Sequence, residues 1–341
     1  MIVDLRSDTV TRPTPEMLEA MMQAELGDDV LRDDPTVLEL ERLAAQKMGK
    51  EAALYVPSGT MANQIGVQLW TKPGDAILVE QDAHILFYES AGPALHASVV
   101  TFTLPSHHGV MDPETIRSRI TKATEHTPGT TLLCVENTHN RAGGTVVPLE
   151  RMREYREVAN ENGLKIHLDG ARIFNAATAL GVEAAEIAQY ADSVSFCLSK
   201  GLSCPVGSLI CGPREQIDRA VWLRKRMGGA MRQAGILAAA GIYALNHLVG
   251  RLAEDHRRAR EMAEHLDSLP GLCVDLETVQ TNIVRVKTDA PAPVWQTRLA
   301  EAGVRCFATG PNSLRLVFHR EIDDEGLAHA KRVFSDLCQT A

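Results

Sequence analysis

This sequence predicts an α/β fold: a large domain on a mostly parallel central sheet, with a smaller α+β lobe behind it. Three observations lead there. Short apolar runs alternate with helical stretches along residues 1–248. Most of those runs are apolar throughout rather than alternating, so helices must cover both faces of the sheet they form. After residue 248 the pattern changes to one long charged helix followed by short strands and two more helices. The expected division is therefore a large domain over 1–248 and a small C-terminal domain over 249–341.

The elements follow in order. Helices are expected at 15–25, 35–48, 60–71, 113–124, 149–162, 214–227 and 232–248. Between them "AALYV", "AILVE", "SVVTF", "TLLCVEN", "KIHLD", "SVSFCLS" and "GSLICG" read as buried strands. Beyond them "RLAEDHRRAREMAEHLDSL" is a helix stopped by Pro270 and Gly271. Strands "TNIVRVK", "GVRCF" and "SLRLVFH" and helices near 293–302 and 323–338 complete the small lobe.

Composition narrows the function. A net charge of −9 and an aromatic content of only 4% leave no basic, aromatic-interleaved stripe for nucleic acid. The start "MIVDLRSDTVTR" has charges where a signal peptide needs its apolar core. The longest apolar run, "AGILAAAGIYAL", is too short to span a bilayer. A cytoplasmic enzyme is expected, with no nucleic-acid or membrane partner. The seven cysteines are odd in number and form no CxxC, so reduced thiols are expected. No HExxH or comparable spacing suggests a metal.

Three short stretches carry chemistry. In "VPSGTMANQIG" a strand ends at Val56, a tight turn follows and a helix begins. Free N–H groups at a helix start bind phosphate, Gly59 lets the backbone come close, and Ser58 and Thr60 offer hydroxyls. A plain N-cap by Ser58 is the competing reading. In "LKIHLDGARIFNA" a buried strand ends at Asp169, where parallel sheets place ligands; a helix cap is again the alternative. In "VSFCLSKGLSCPVGSL" Lys200 is the only charge of an apolar run, with Phe196, Leu198, Leu202 and Val206 around it. Burial disfavours an ammonium and leaves a nucleophilic amine. A phosphate cradle, a strand-end Asp and a strand-end Lys together match a pyridoxal phosphate site.

At this point "DLRSDTVTRPT", "EAALYVPSGTMAN", "AHILFYESAG", "LLCVENTHN", "HLDGARIFNA", "SFCLSKGL" and "GGAMRQAG" make a resemblance plain. The chain is similar to the L-threonine aldolases, low-specificity or L-allo-threonine enzymes of the aspartate aminotransferase-like fold (fold type I), over nearly its whole length. The resemblance implies pyridoxal 5′-phosphate carried by Lys200, with Asp169 at its ring nitrogen. His84 would stack on the ring, and Ser58, Gly59 and Thr60 would hold the phosphate. Arg172 and Arg315, with Ser7, would bind the substrate carboxylate. His126 matches a histidine placed near the substrate's β-hydroxyl. Lys225 and Arg232 resemble residues that reach a neighbouring subunit's cofactor phosphate, which implies active sites shared within a homotetramer. The residues themselves leave alternatives open: His84 can be a core histidine, His126 a solvated one, and Arg172 a support for the Asp169 loop. On the odd-numbered face of "SLRLVFH", by contrast, Arg315 suits a carboxylate, which a guanidinium fork grips with two hydrogen bonds.

The implied reaction is reversible cleavage of a β-hydroxy-α-amino acid into glycine and an aldehyde, with His126, His84 or a water between them taking the hydroxyl proton. A β-eliminating lyase or a racemase would use the same lysine, aspartate and phosphate residues. One departure stands out. The chain has "GDDVLRDDPT", with Leu31 and Arg32, where many family members have a tyrosine in "GDDVYGEDPT". If this segment borders the site, the pocket for the β-substituent is more apolar or roomier.

Overall fold

A computed structural model describes residues 1–339. Its main sheet has seven strands: β1 (Ala52–Val56), β2 (Ala76–Glu80), β3 (Val100–Leu104), β4 (Thr130–Glu136), β5 (Lys165–Asp169), β6 (Ser193–Cys197) and β7 (Ser208–Gly212). Their spatial order is β1-β7-β6-β5-β4-β2-β3. All neighbours run parallel except β7, which is antiparallel to both β1 and β6. Six of the seven strands are buried at every residue or all but one, as their apolar runs require.

The expected helices form, those at 35–48 and 149–162 with the expected limits and the others with shifted ends. The helix expected at 113–124 stops at Arg119, and that expected at 232–248 starts at Gly235. The third strand begins two residues later than expected. Ser98 closes the preceding helical turn in the left-handed region, at φ 54°, and only then can the chain extend. Two helices between β5 and β6, Ile173–Leu180 and Ala184–Ala188, escaped the sequence pattern. Among the described residues no single helix is long and apolar enough to cross a membrane. All seven cysteines are free, five of them buried.

The small lobe is a four-stranded antiparallel sheet, Leu272–Cys273, Ile283–Thr288, Ser313–Val317 and Phe307–Gly310 in spatial order. The helices Leu252–Asp267 and Asp324–Gln339 supply Met262, Leu266, Leu327 and Phe334 to its core. The N-terminus corrects the expected division at residue 248. Val3–Asp4 pairs in parallel with Val304–Arg305, and Val3 and Leu5 are buried in the small lobe's core. The chain thus starts in the small lobe and crosses to the large one through Ser7 and Asp8.

The helix Gly59–Trp70 crosses β5 and β6 closely. A Cβ on Gly66 would lie 2.2 Å from the His167 ring, so only glycine permits this approach. On that face of the sheet His167 Nδ1 meets Ser193 Oγ at 2.9 Å, and Ser195 Oγ donates to Asn63 Oδ1 at 2.7 Å. Burial pushes His167 down to about 4, so it stays neutral in this packed polar layer.

Candidate active site

The strand directions decide where the chemistry gathers. β2, β4, β5 and β6 point the same way, and register sets Glu136, Asp169 and Ser195 side by side at or near their C-terminal ends. Ligands in parallel sheets bind at that edge. The turns beyond it bring His84, Tyr88, Asn140, Arg172 and Lys200, and the N-terminal segment and the small lobe bring Ser7, Thr9 and Arg315, around one cavity of about 220 Å³.

Lys200 is half-buried because its side chain lines this cavity; the sequence suggested deeper burial. Phe196, Leu198 and Leu202 are buried as expected. The Lys200 carbonyl is fixed by Thr11 Oγ1 at 3.1 Å and by the Ser203 N–H at 2.8 Å. Among the described residues its Nζ makes no hydrogen bond or ion pair, so the backbone is pinned and the amine is free to react.

Asp169 is buried and accepts from Asn63 Nδ2 at 2.8 Å and from the Ala171 N–H at 3.0 Å. Asn63 Nδ2 also donates to Glu89 Oε1 at 2.8 Å. Glu89 in turn accepts from Gln64 Nε2 at 2.6 Å and faces His84 Nδ1 at 2.9 Å. Burial works against the His84 charge, but the hydrogen bond to Glu89 and the charge of Asp169 outweigh it and leave His84 raised above the usual histidine value. The Tyr88 ring lies 5.2 Å from the His84 ring, tilted by 40°. The His84 N–H donates to Glu136 Oε2 at 2.6 Å, which ties the turn to the end of β4.

Arg172 does not support the Asp169 loop directly. Its Nε and Nη2 donate to the two oxygens of Asp8, at 2.6 and 2.7 Å, in a buried fork. Despite burial, the Arg172 charge holds Asp8 down to about 2. Arg315 is held loosely. Its contacts to Asn140 Oδ1 and the Arg6 carbonyl are 3.4 and 3.3 Å, and its Nε is buried with no partner. Burial and repulsion from Arg172 lower its proton affinity. A guanidinium that lines a cavity with unspent donors suits a carboxylate. Ser7 Oγ is taken up by Thr9, accepting from its N–H and its hydroxyl, at 3.2 and 2.8 Å.

Ser58 caps the helix Gly59–Trp70, its Oγ accepting from the Met61 N–H at 3.2 Å. The competing N-cap reading therefore holds for the Ser58 side chain. The N–H groups of Gly59 and Thr60 remain open at the helix start. A Cβ on Gly59 would lie 2.7 Å from Cys197 Sγ, and Ser208 Oγ, buried beside it, has no partner. Open N–H groups, an orphaned hydroxyl and a forced glycine fit a phosphate group.

Asp169, Ser58, Gly59 and Thr60 lie outside the cavity's lining, and His126, Lys225, Arg232 and Leu31 are not brought to it either. His126 is exposed in a loop bonded to itself through Thr124 and Thr127. The loop leads into the start of β4, whose other end faces the site, so seven strand residues at roughly 3.3 Å each separate them. Lys225 and Arg232 are exposed, Arg232 pairing with Asp28 at 2.8 Å. Leu31 is 69% exposed and lies outside the cavity. Asp8, Asn63, Tyr88, Glu89 and Asn140 were missed by the sequence reading. Asp8, Asn63, Glu89 and Asn140 meet partners far along the chain, so no local spacing marks them; Tyr88 lies against the His84 ring, four residues away.

Comparison with known proteins bears on this arrangement. Residues 4–289 match the family described as beta-eliminating lyase. A probable low-specificity L-threonine aldolase of Arabidopsis thaliana is 43% identical, covering 98% of this chain and 97% of that protein. The low specificity L-threonine aldolase of Escherichia coli strain K12 is 44% identical, covering 96% of each. The chain belongs to the threonine aldolases of the beta-eliminating lyase family. The fold of this family member agrees. A Leishmania major threonine aldolase superposes with a TM-score of 0.85 at 20% identity, covering 98% of this chain and 99% of that one. A Thermus thermophilus aspartate aminotransferase variant gives 0.73 at 19%, covering 98% and 91%. The aspartate aminotransferase-like architecture expected from the sequence is thus the one observed.

The Asp8–Arg172 pair yields a prediction for stability. A carboxylate lowered in the fold stabilises above its ordinary value of 3.8, and that contribution is lost as pH falls towards about 2. Asp8→Asn leaves Arg172 buried without its counter-charge and should cost about 3–5 kcal/mol at neutral pH. Denaturant unfolding should show this gap constant at neutral pH and narrowing below pH ~4. A gap independent of pH would contradict the assignment.

Proposed function

We propose that this chain is a pyridoxal 5′-phosphate-dependent aldolase that splits L-threonine and L-allo-threonine into glycine and acetaldehyde and runs the reverse addition. The observation that carries this reading is the meeting of an unpaired lysine amine and a loosely held arginine around one cavity, with a buried strand-end carboxylate joined to the cavity's His84 through Asn63 and Glu89. The aldolase names of relatives more than 40% identical over almost the whole chain favour it over elimination or racemisation.

Lys200 would hold the cofactor through its Nζ, Asp169 would face the ring nitrogen, and Gly59 and Thr60 would receive the phosphate on their open N–H groups. When bound, the cofactor supplies an electron sink for bonds at the substrate's Cα. Arg315 would grip the substrate carboxylate and so orient the substrate's Cα bonds, while the fork to Asp8 keeps Arg172 fixed on the same cavity wall. His84 would cover the ring and, with Nδ1 committed to Glu89, would have Nε2 to take the β-hydroxyl proton. That assignment replaces His126, which this chain does not bring to its own cavity.

A cytoplasmic location and a homotetramer are part of the same reading. Lys225, Arg232 and Leu31 would serve a neighbouring subunit's site, Leu31 bordering its β-substituent pocket. The loop that carries Leu31 is well fixed for this, since buried Asp29 pairs with buried Arg224 at 2.9 Å.

Product analysis tests the reaction. The purified holoenzyme should give glycine and acetaldehyde from both threonine diastereomers, and Arg315→Lys should raise KM for them more than tenfold. Ammonia with 2-oxobutanoate would make the chain an eliminating lyase instead. Subunit mixing tests the shared site. Lys200→Ala and Lys225→Ala/Arg232→Ala, each inactive alone, should regain activity when dissociated and reassembled together. No recovery, with mixed oligomers shown to form, would mean that each site is built by one chain.

A further inference from the structure

We propose that Glu89 is a positioning residue that sets the protonation of His84 and so decides at what pH its Nε2 can accept a proton. The inference rests on the aldolase reading above and concerns one residue that no sequence motif singled out.

Geometry carries it. The Glu89 side chain is fully buried. It accepts from three side chains: Asn63 and His84 at Oε1, and Gln64 at Oε2. Asn63 and Gln64 are neutral, so among the groups that touch Glu89 only His84 can balance its charge. An ionised carboxylate can only accept, so the His84 nitrogen facing it, Nδ1, must carry hydrogen. The proton exchanged with the site is then the one at Nε2, which has no partner among the described residues. A carboxylate behind a histidine fixes its tautomer and raises its basicity.

Other charged groups around His84 are committed elsewhere or act at longer range. Asp169, at the end of β5, is held by Asn63 and the Ala171 N–H. Glu136, at the end of β4, is held by the N–H groups of His84 and Asn140. Lys200 opposes the His84 charge from beyond β6, and Arg172 and Arg315 line the cavity's other walls. Among the described residues Glu89 is the only carboxylate at hydrogen-bond distance from the ring. Asn63 joins it to Asp169 by donating one N–H to each carboxylate, so the residue facing the cofactor and the proton acceptor share a scaffold.

The test is the His84 titration in the holoenzyme, read by imidazole ¹⁵N NMR and assigned by loss of the signal in His84→Asn. Glu89→Gln should lower the His84 midpoint by roughly one to three pH units, the usual effect of a close counter-charge. The acid limb of kcat/KM for threonine cleavage should move down with it, while KM changes little. Because Glu89→Gln sets three donors against an amide, Gln64→Glu/Glu89→Gln is the second variant; it restores donor–acceptor matching but moves the charge off the ring. It should fold as the wild type does and still lower the midpoint. Glu89→Asp, which keeps the charge, should keep most of it. An unchanged midpoint in folded Glu89→Gln or in the double variant would overturn the proposal and leave Glu89 a structural residue. The two readings fail separately: wild-type enzyme that makes no glycine and acetaldehyde defeats the aldolase assignment, whereas the NMR midpoint judges Glu89 whatever the product.

Discussion

The site depends on one amide. Asn63 Nδ2 lies 2.8 Å from a carboxylate oxygen of Asp169 and 2.8 Å from one of Glu89. Two buried acids this close repel each other, and a shared N–H₂ group is a compact way to hold both. Asn63 belongs to the helix Gly59–Trp70, whose N-terminus is the proposed phosphate cradle, so the amide also fixes that helix over β5 and β6. On its other side Asn63 Oδ1 accepts from Ser195 Oγ and lies 3.2 Å from His167 Nε2. A side chain with its donors and acceptor all engaged cannot rotate, and the two acids inherit that rigidity.

A second constraint joins the lobes. Asp8 follows the N-terminal strand of the small lobe, yet it receives the fork of Arg172 from the large one and accepts from Asn282 Nδ2 at 3.3 Å. The Arg315 strand is anchored through the same place, as the Val317 N–H donates to the Leu5 carbonyl at 2.9 Å. Arg315, proposed to meet the substrate carboxylate, therefore stands on the small lobe, while Lys200 stands on the large one. Buried ion pairs contribute specificity of arrangement more reliably than net stability. Here the pair fixes where the lobes meet, around the cavity.

Much of this was legible in the sequence. β1, β2 and β5 have the limits read from "AALYV", "AILVE" and "KIHLD", because apolar runs flanked by turn residues leave little choice. Lys200, Asp169, Gly59 and Arg315 stood out because each breaks a local pattern. What stayed hidden depends on contacts between distant segments. Glu89 and Asn63 are 26 residues apart and Asn63 and Asp169 are 106 apart, so no window contains either pair. Val3–Asp4 is too short to read as a strand, and its partner lies near residue 304. His126 shows the opposite failure: resemblance pointed to it, and the direction of β4 carries it away from this chain's cavity.

The central claim is that the strand ends place one particular amine where the cofactor is held. Borohydride reduction of the holoenzyme fixes pyridoxal phosphate permanently on the amine that carries it, and peptide mapping then reports the position. The account predicts the label on Lys200 alone, with none on Lys200→Ala. A label on another lysine, or an equal label on the variant, would contradict it.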